Sequence, residues 1–389
     1  MLTCQKDLFS LPPGKHYLNC AYMSPLSKRV EAAGIEGVRS KTMPGNIVPE
    51  DFFSGPDRVR ALFAELIGSS EPSRVAIVPS VSYGMGIVAR NTTLTSAQNV
   101  VTLQDQFPSH MYAWRRLCSE SGADLRVVPP PPPPPPTSPP FGTRGAGWNE
   151  KLLAAIDGGT AIVAVPQVHW TDGTVFDLDE VGRRARDVGA AFVIDGTQSI
   201  GARPFDVGRL QPDAVICAGY KWLGGPYSIG LAYFGPRFDG GVPLEETWIG
   251  REGSENFGRL VDYQDSYRPG AVRFDVGEVS NFVLIPMLVA ALEQLADWGV
   301  DAIGRYCADL TKELIDELEA SGFDLTEQEF RSQHLFGIRV PGEYDFESLK
   351  NRLAEGGVSV SLRGSAIRVS PHVYNDRDDV DALRKALDL

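Results

Sequence analysis

The sequence predicts an α/β fold, a mainly parallel sheet sandwiched by helices, followed by a smaller α+β C-terminal domain. Apolar segments with the length of buried strands occur at 75–78, 99–103, 125–128, 161–165, 191–194 and 214–218. Helical patterns lie between them at about 109–121, 149–156 and 178–188. Strands that alternate with helices in this way are typical of βαβ units, in which neighbouring strands are parallel.

The pattern of the chain changes after about residue 283. A long helical stretch over 284–320 is followed by a strand-like segment, a helix near 345–355, a second strand-like region and a last helix. We therefore expect a large α/β domain at 31–283 and a small α+β domain at 284–389. Residues 1–30 are expected to form an N-terminal arm and helix that pack with the small domain.

A run of eight prolines at 129–136, with two more at 139 and 140, interrupts the large domain. Such a run predicts an extended polyproline II segment, so we interpret 129–140 as a surface insertion. Proline-rich segments are also ligands of SH3-type domains, and that contact is one hypothesis for a partner.

The composition limits the class of function. The 37 basic and 50 acidic residues give a net charge of −13 without a basic block, which argues against nucleic acid or an anionic membrane as partner. No apolar run approaches the roughly 20 residues of a membrane helix. The first residues contain acids and prolines where a signal peptide needs an apolar stretch. With five scattered cysteines and no CxxC spacing, these features predict a cytoplasmic protein without a structural metal.

An acid and an amine follow two neighbouring strands of the predicted sheet. Asp195 ends the apolar run 191–194, and Lys221 follows the run 214–218. The carboxyl ends of parallel strands meet at one edge of a sheet, where ligands bind. A carboxylate that keeps a pyridine nitrogen protonated and a lysine that forms a Schiff base are the pair that pyridoxal 5'-phosphate needs. The sequence therefore predicts this cofactor.

Other residues with suitable chemistry follow strands at the same edge. The segment 80–82 comes after a strand and starts a helix, so its free N–H groups favour a phosphate there. Phe107 follows the 99–103 strand, and His169 and Trp170 follow the 161–165 strand. An aromatic ring here would cover a bound cofactor ring.

The segment Asp195-Gly-Thr-Gln198, followed by Gly219-Tyr-Lys221-Trp, resembles the class V aminotransferase family of fold-type I pyridoxal-phosphate enzymes. This family includes cysteine desulfurases, kynureninases and isopenicillin-N-epimerase-like proteins. The resemblance extends from about Tyr17 to Tyr374. It implies the fold-type I transferase architecture, an amino acid substrate and a homodimer.

The resemblance also implies roles for individual residues. Lys221 is expected to be the Schiff-base lysine and Asp195 the partner of the pyridine nitrogen, so both are catalytic candidates. The cofactor-binding set is expected to comprise Val81, Ser82, Phe107, Trp170, Asp195, Gln198, Tyr220 and Lys221. The substrate-binding set is expected to comprise Arg368, which matches the family's carboxylate-binding arginine, together with Asn19 and His169.

The chain departs from the family pattern at several positions. Cysteine desulfurases carry a cysteine on a mobile loop, and neither 361–369 nor 326–334 contains one, which argues against persulfide formation on this protein. Kynureninases have a histidine where Gln198 stands, and desulfurases have an asparagine where Trp170 stands. Glu278 replaces a threonine in the stretch that reaches the partner subunit's phosphate, and the sequence leaves open whether it disturbs that contact.

The resemblance implies an enzyme acting at Cα or Cβ of an amino acid, and we expect an aminotransferase first. A lyase that cleaves a C–S or C–C bond and an epimerase are the alternatives, because all these reactions share the same machinery. A rival of another class is a binding or scaffold protein that keeps the fold without the chemistry. A nicotinamide dehydrogenase is disfavoured, because no GxGxxG follows a predicted strand.

Overall fold

The structure, a computed structural model, describes residues 2–132, 144–339, 345–363 and 366–389. Its strands are β1 (His16–Tyr17), β2 (Val75–Val78), β3 (Asn99–Leu103), β4 (Asp124–Val128), β5 (Thr160–Pro166), β6 (Ala191–Asp195), β7 (Ala214–Ala218), β8 (Gly230–Phe234), β9 (Phe336–Arg339), β10 (Val358–Ser359), β11 (Ser361–Arg363) and β12 (Ala366–Val369). Its helices are α1 (Lys28–Ser40), α2 (Asp51–Leu66), α3 (Val81–Arg90), α4 (Pro108–Ser121), α5 (Arg144–Ala155), α6 (Leu178–Val188), α7 (Val207–Leu210), α8 (Leu284–Trp298), α9 (Val300–Ala320), α10 (Phe346–Glu355) and α11 (Arg377–Ala386). Most of the expected proline insertion, residues 133–140, lies outside the described residues.

A seven-stranded sheet with the order β2-β8-β7-β6-β5-β3-β4 forms the centre of the molecule. Strands β4, β3, β5, β6 and β7 are parallel to one another, whereas β8 is antiparallel to both β7 and β2. The predicted α/β fold with a mainly parallel sheet is confirmed. The sequence analysis missed β8, because an antiparallel return strand interrupts the βαβ alternation on which the prediction relied.

The central strands are buried on both faces, which explains their nearly continuous apolar composition. In β6, Phe192 and Ile194 belong to the hydrophobic cluster on one face of the sheet. Ala191 and Val193 belong to the cluster on the other face. Every residue of this strand is buried, and Asp195 is the polar residue at its carboxyl end.

A second, smaller sheet follows in the C-terminal part of the chain, with the order β11-β12-β9 and antiparallel pairing. Its apolar residues, among them Phe336 and Ile367, pack with Leu314 of α9 and Leu383 of α11. Leu18 of the N-terminal arm joins the same cluster, and β1 pairs with β10.

The helical stretch expected over 284–320 is two helices, α8 and α9. Gly299 separates them with a φ of +76°, a conformation that would strain any other residue. Leu288 and Leu292 of α8 share the large hydrophobic cluster with Phe63 of α2. The domain limits at 30 and 283 stay a prediction. None of the helices in the described ranges is both long and apolar enough to cross a membrane.

Gly201 offers a test of how tightly the sheet edge is built. Its φ is +100°, and a Cβ there would lie 2.4 Å from the carbonyl oxygen of Trp222, next to Lys221. Gly201→Ala must therefore displace backbone, and we expect a large fall in the thermal unfolding midpoint. The matched control is Gly189→Ala, which has a φ of +77° but nothing within 4 Å, so its cost is only the roughly 1 kcal/mol of backbone strain. Equal falls for the two variants would contradict this packing.

Candidate active site

A cavity of about 300 Å³ opens at the carboxyl ends of the central strands. Its walls include residues that end or follow β2, β6 and β7, among them Pro79, Ser80, Val81, Asp195, Thr197 and Lys221. The edge of the sheet thus gathers the segments that the sequence placed there. A second cavity of about 310 Å³ shares Phe107, Trp170, Tyr220 and Lys221 with the first and is also lined by Arg368.

Lys221 lies in the loop that connects β7 to the antiparallel β8. The loop is held by backbone hydrogen bonds from Gly219 to Ile229 O (2.9 Å) and from Gly225 to Gly219 O (2.9 Å). The lysine is only 6% exposed. Burial and the nearby Arg368 lower the pKa of its amine to about 8, while Asp195 acts in the opposite direction. A neutral amine, the form that bonds to an aldehyde, is therefore accessible near neutral pH.

Asp195 is buried at the end of β6 and remains ionised. Burial disfavours its charge, but His110 and Thr197 outweigh burial and hold the pKa of this carboxyl below its ordinary value. The backbone N–H of Thr197 donates to Oδ1 over 3.0 Å, and Nδ1 of His110 lies 3.6 Å from Oδ2. A buried carboxylate at the cavity wall is suited to a charge-assisted hydrogen bond with a protonated ring nitrogen.

His110 faces Asp195 with a constrained pattern of protons. Its Nε2 lies 3.1 Å from the carbonyl oxygen of Ala164, which only accepts, so Nε2 carries a proton. Its Nδ1 has no other partner and faces the carboxylate. This close approach of the imidazole explains why His110 lowers the pKa of the Asp195 carboxyl.

The start of α3 lies at one end of the cavity. Ser80 caps the helix by accepting from the backbone N–H of Tyr83 (3.2 Å), and its Oγ lies 2.9 Å from Oγ of Ser82. Ser80 and Val81 line the cavity. Free N–H groups and hydroxyls at a helix N-terminus are donors that suit a phosphate.

Aromatic side chains cover the cavity next to the lysine. Phe107 and Trp170 make an edge-to-face contact with ring centroids 5.4 Å apart. The Nζ of Lys221 lies 5.4 Å from the centroid of Phe107 and 5.6 Å from that of Tyr220. Gln198 also lines the cavity, where its Nε2 donates to Ala21 O (3.1 Å) and its Oε1 accepts from Trp222 (2.8 Å).

Arg368 is a buried cation without an acidic partner among the described residues. Its guanidinium is 1% exposed and donates to the Trp170 carbonyl (2.8 Å), to Ser361 Oγ (3.1 Å) and to Asn19 Oδ1 (3.4 Å). All three acceptors are neutral, and its Nε has no partner. Such an arginine is ready to bind a carboxylate, with Asn19 orienting it.

The structure engages both ring nitrogens of His169, which was one of the expected substrate-binding residues. This histidine is wholly buried, and its Nδ1 and Nε2 are engaged by Thr171 Oγ1 (2.7 Å) and the carbonyl of Gln104 (3.2 Å). Its ring also packs against Trp148. Both nitrogens of His169 therefore have protein partners, and its expected substrate-binding role stays a prediction. The roles of the other expected residues stay predictions.

The sequence analysis missed His110, Thr197 and Gln106. Gln106 lines the cavity with an unpartnered Nε2. Thr197 lay inside the recognised Asp195–Gln198 segment and could have been named. His110 stands three residues after Phe107, one turn along α4, and that spacing was a usable signal.

The cysteines do not offer a sulfur acceptor at this site. Cys20, Cys118, Cys217 and Cys307 are buried, and Cys4 is exposed away from the cavity on the N-terminal arm. Burial raises the pKa of Cys20 to about 12, so it stays a thiol. Within the described ranges, no group of three or more His, Cys, Asp or Glu side chains is arranged to hold a metal ion.

The fold and the site together define a pyridoxal-phosphate enzyme of fold type I. A buried lysine, a buried carboxylate and the N-terminus of α3 surround one cavity at the carboxyl edge of the sheet. The chain belongs to the class V aminotransferase family, whose family model matches residues 50–383. The cofactor of this family, pyridoxal 5'-phosphate, is accordingly the cofactor of this enzyme, and the residues present fit it.

The names of similar proteins point to more than one activity. A cysteine desulfurase of Enterobacter sp. is 28% identical over 81% of this chain and 72% of its own length. A protein of Bacillus subtilis named uncharacterized aminotransferase YcbU is 27% identical over 84% of this chain and 80% of its own length. The structure of the cystine C–S lyase C-DES with its product cysteine persulfide superposes with a TM-score of 0.82 at 18% identity, covering 97% of this chain and 98% of the other.

The lowered pKa of Lys221 predicts how the apoenzyme takes up its cofactor. The neutral amine becomes dominant as the pH rises through about 8, so the rate of uptake should climb between about pH 7 and 9 and then level off. Stopped-flow absorbance after mixing with pyridoxal phosphate measures this rate. Lys221→Ala is the control and should give no covalent uptake. A rate still rising beyond pH 10 would contradict the burial effect.

His110 is predicted to keep Asp195 ionised. His110→Asn removes the imidazole that lowers the pKa of the Asp195 carboxyl, so that pKa should rise. The carboxylate becomes protonated as the pH falls through its pKa. Because that pKa is higher in the variant, cofactor affinity should weaken at a higher pH than in the wild type. Absorbance titrations with pyridoxal phosphate from about pH 5 to 8 measure the shift. In the Asp195→Asn background, His110→Asn should not change how cofactor affinity depends on pH. A change there would mean that His110 acts in another way.

Proposed function

We propose that this enzyme is a lyase that removes a sulfur leaving group from Cβ of an amino acid. The observation that carries the proposal is a cavity with a lysine base, a carboxylate-binding arginine and no reactive cysteine among its described walls. Lys221, Asp195 and Arg368 supply the machinery for breaking bonds at Cα and Cβ. The missing sulfur acceptor means that sulfur must leave with a product.

Each residue has a definite part in this proposal. Arg368 binds the substrate carboxylate and thereby sets which Cα bond is directed at Lys221. Lys221 takes up the Cα proton as its amine, whose pKa is lowered to about 8. Asp195 holds a proton on the ring nitrogen of the cofactor. When bound, pyridoxal phosphate withdraws electrons from Cα, which is what makes that proton acidic.

The choice of a C–S bond rests on the relatives together with the cysteines. Cysteine desulfurase and cystine lyase are the activities named for several similar proteins. The desulfurase reaction ends with sulfur on an enzyme cysteine, which the sites of Cys20 and Cys217 do not permit because both are buried. An elimination needs no such acceptor. An S-substituted cysteine plus water would give a thiol, pyruvate and ammonia.

An aminotransferase, the first expectation from the sequence, is the second candidate. A relative named as an aminotransferase supports it, and the same three residues would serve it. The scaffold rival is disfavoured, because a protein without chemistry has no need to bury an amine, a carboxylate and a guanidinium at one cavity.

We further propose that the enzyme is a homodimer in the cytoplasm. A cavity of about 430 Å³ on the surface is lined by Val38, Phe52, Trp248 and Phe282, and Val38 and Trp248 are exposed. Apolar groups exposed together favour contact with a second copy. Glu278 lies in the same wall with a φ of +60°.

The SH3-type contact of the proline tract stays a prediction.

The products distinguish the two candidates. The holoenzyme is incubated with L-cystine or S-substituted cysteines, and separately with amino acids plus 2-oxoglutarate. From the first mixture we expect pyruvate, ammonia and the sulfur product in equal amounts, which is cysteine persulfide from L-cystine and a thiol from an S-substituted cysteine. Glutamate formation from the second, without free ammonia, would establish the aminotransferase instead. Arg368→Gln should raise KM for the amino acid by about 10-fold or more, because charged hydrogen bonds to the carboxylate are lost.

A further inference from the structure

Arg363 is a second arginine of the substrate cavity that has no acidic partner in the described part of the chain. It lines the same cavity as Arg368 and Lys221. Its guanidinium lies 5.2 Å above the ring of Trp170. Its Nη1 donates to the carbonyl of Leu362 (2.9 Å), and its buried Nε has no partner. Most of its hydrogen-bonding capacity is therefore free to meet a ligand.

The pairing of β11 with β12 places the two arginines on one face. Ser361 lies opposite Arg368, and Arg363 lies opposite Ala366. Opposite residues of an antiparallel pair share a face, so Arg363 and Arg368 occupy diagonal positions, about 7–8 Å apart at the backbone. Leu362 and Ile367 occupy the other face, where Ile367 is in the hydrophobic core.

Two positive charges close together on one face repel each other, which destabilises the folded protein unless an anion binds between them. Burial and then Arg363 lower the pKa of Arg368. The protein has a net charge of −13, yet the described residues lining this cavity include Lys221, Arg363 and Arg368 and no Asp or Glu. The cavity is therefore locally positive in a protein that is acidic overall, and such a cavity attracts an anionic ligand.

The two guanidiniums lie at different ends of Trp170. Arg368 donates to the main-chain carbonyl of that residue, whereas Arg363 stacks on its indole ring. Such separate positions suit two anionic groups better than one shared carboxylate. The ring of Trp170, in edge contact with Phe107, lies between them and would pack against the carbon chain that joins the two groups.

We propose that Arg363 binds a second anionic group, carried on the side chain or leaving group of the substrate, while Arg368 binds the α-carboxylate. The substrate class is then an amino acid with a distal carboxylate, such as an S-carboxyalkyl cysteine or a dicarboxylic amino acid. This assignment rests on the proposed function only in requiring that an amino acid binds beside Lys221. It holds for either reaction type.

The test compares ligands that differ in one charge. S-carboxymethyl-L-cysteine and its neutral amide, S-carbamoylmethyl-L-cysteine, are titrated into the holoenzyme, and Kd is read from the change in cofactor absorbance. The pairs L-aspartate with L-asparagine and L-glutamate with L-glutamine extend the comparison. In the wild type each acid should bind about 10- to 100-fold more tightly than its amide.

Variants then assign the preference to one residue. Arg363→Gln should remove the preference for acids while changing Kd for the amides less than about 3-fold. Arg368→Gln should weaken acids and amides alike. Arg377→Gln, at an exposed position on α11, is the matched control and should leave all values unchanged. Sedimentation of Arg363→Gln should match the wild type, which shows that the residue does not act through subunit contacts.

The outcomes separate this inference from the proposed function. Equal Kd values for acids and amides in the wild type, or a preference that survives in Arg363→Gln, overturn the role of Arg363 and leave the lyase untouched. A clear preference for acids without elimination products supports Arg363 and contradicts the lyase. A protein whose absorbance responds to no amino acid overturns both.

Discussion

The burial of the Lys221 amine at the edge of the sheet is the constraint on which the rest of the site depends. An ammonium group removed from water is costly, and burial together with Arg368 shifts this one towards its neutral form. Asp195 limits the shift, so the amine exchanges its proton near neutral pH. The antiparallel β8 closes the loop behind Lys221, and Gly219 and Gly225 allow the chain to fold tightly enough to bury it. The fold therefore sets the reactivity of the lysine.

The same burial explains which parts of the site the sequence could predict. Asp195 and Lys221 were predictable because buried parallel strands read as apolar runs, and their carboxyl ends share one edge. The spacing of His110 from Phe107 was a signal for its position, but its contact with Asp195 also depends on the hydrogen bond that its ring makes with Ala164 of β5. The sequence placed His169 correctly after β5 but could not show that Thr171 and Gln104 occupy its nitrogens. Side-chain direction is decided by packing, which a linear pattern does not record.

The fold also contains some elements that the sequence could predict and others that it could not. Alternating apolar runs sufficed for the strands from β2 to β7, since a helix precedes each of them in the chain. Strand β8 has no such context, and its pairing with β2 brings together residues 75–78 and 230–234, which lie far apart in the chain. The break between α8 and α9 depends on a single backbone conformation at Gly299. The presence of a glycine within an apolar helical pattern does not predict that conformation.

Cys20 shows why the charges of the site favour a released thiol. It is close enough to Lys221 and Arg368 for both cations to favour its thiolate, yet burial prevails and raises its pKa to about 12. A thiol that keeps its proton is a poor nucleophile, so nearness to the cavity does not make it a sulfur acceptor. Sulfur cleaved from Cβ must then depart as an anion or thiol on a small molecule. In the proposed elimination, the cations Lys221, Arg363 and Arg368 that line the cavity would stabilise such an anion as it develops, so the positive field proposed to bind the substrate would also favour the bond cleavage.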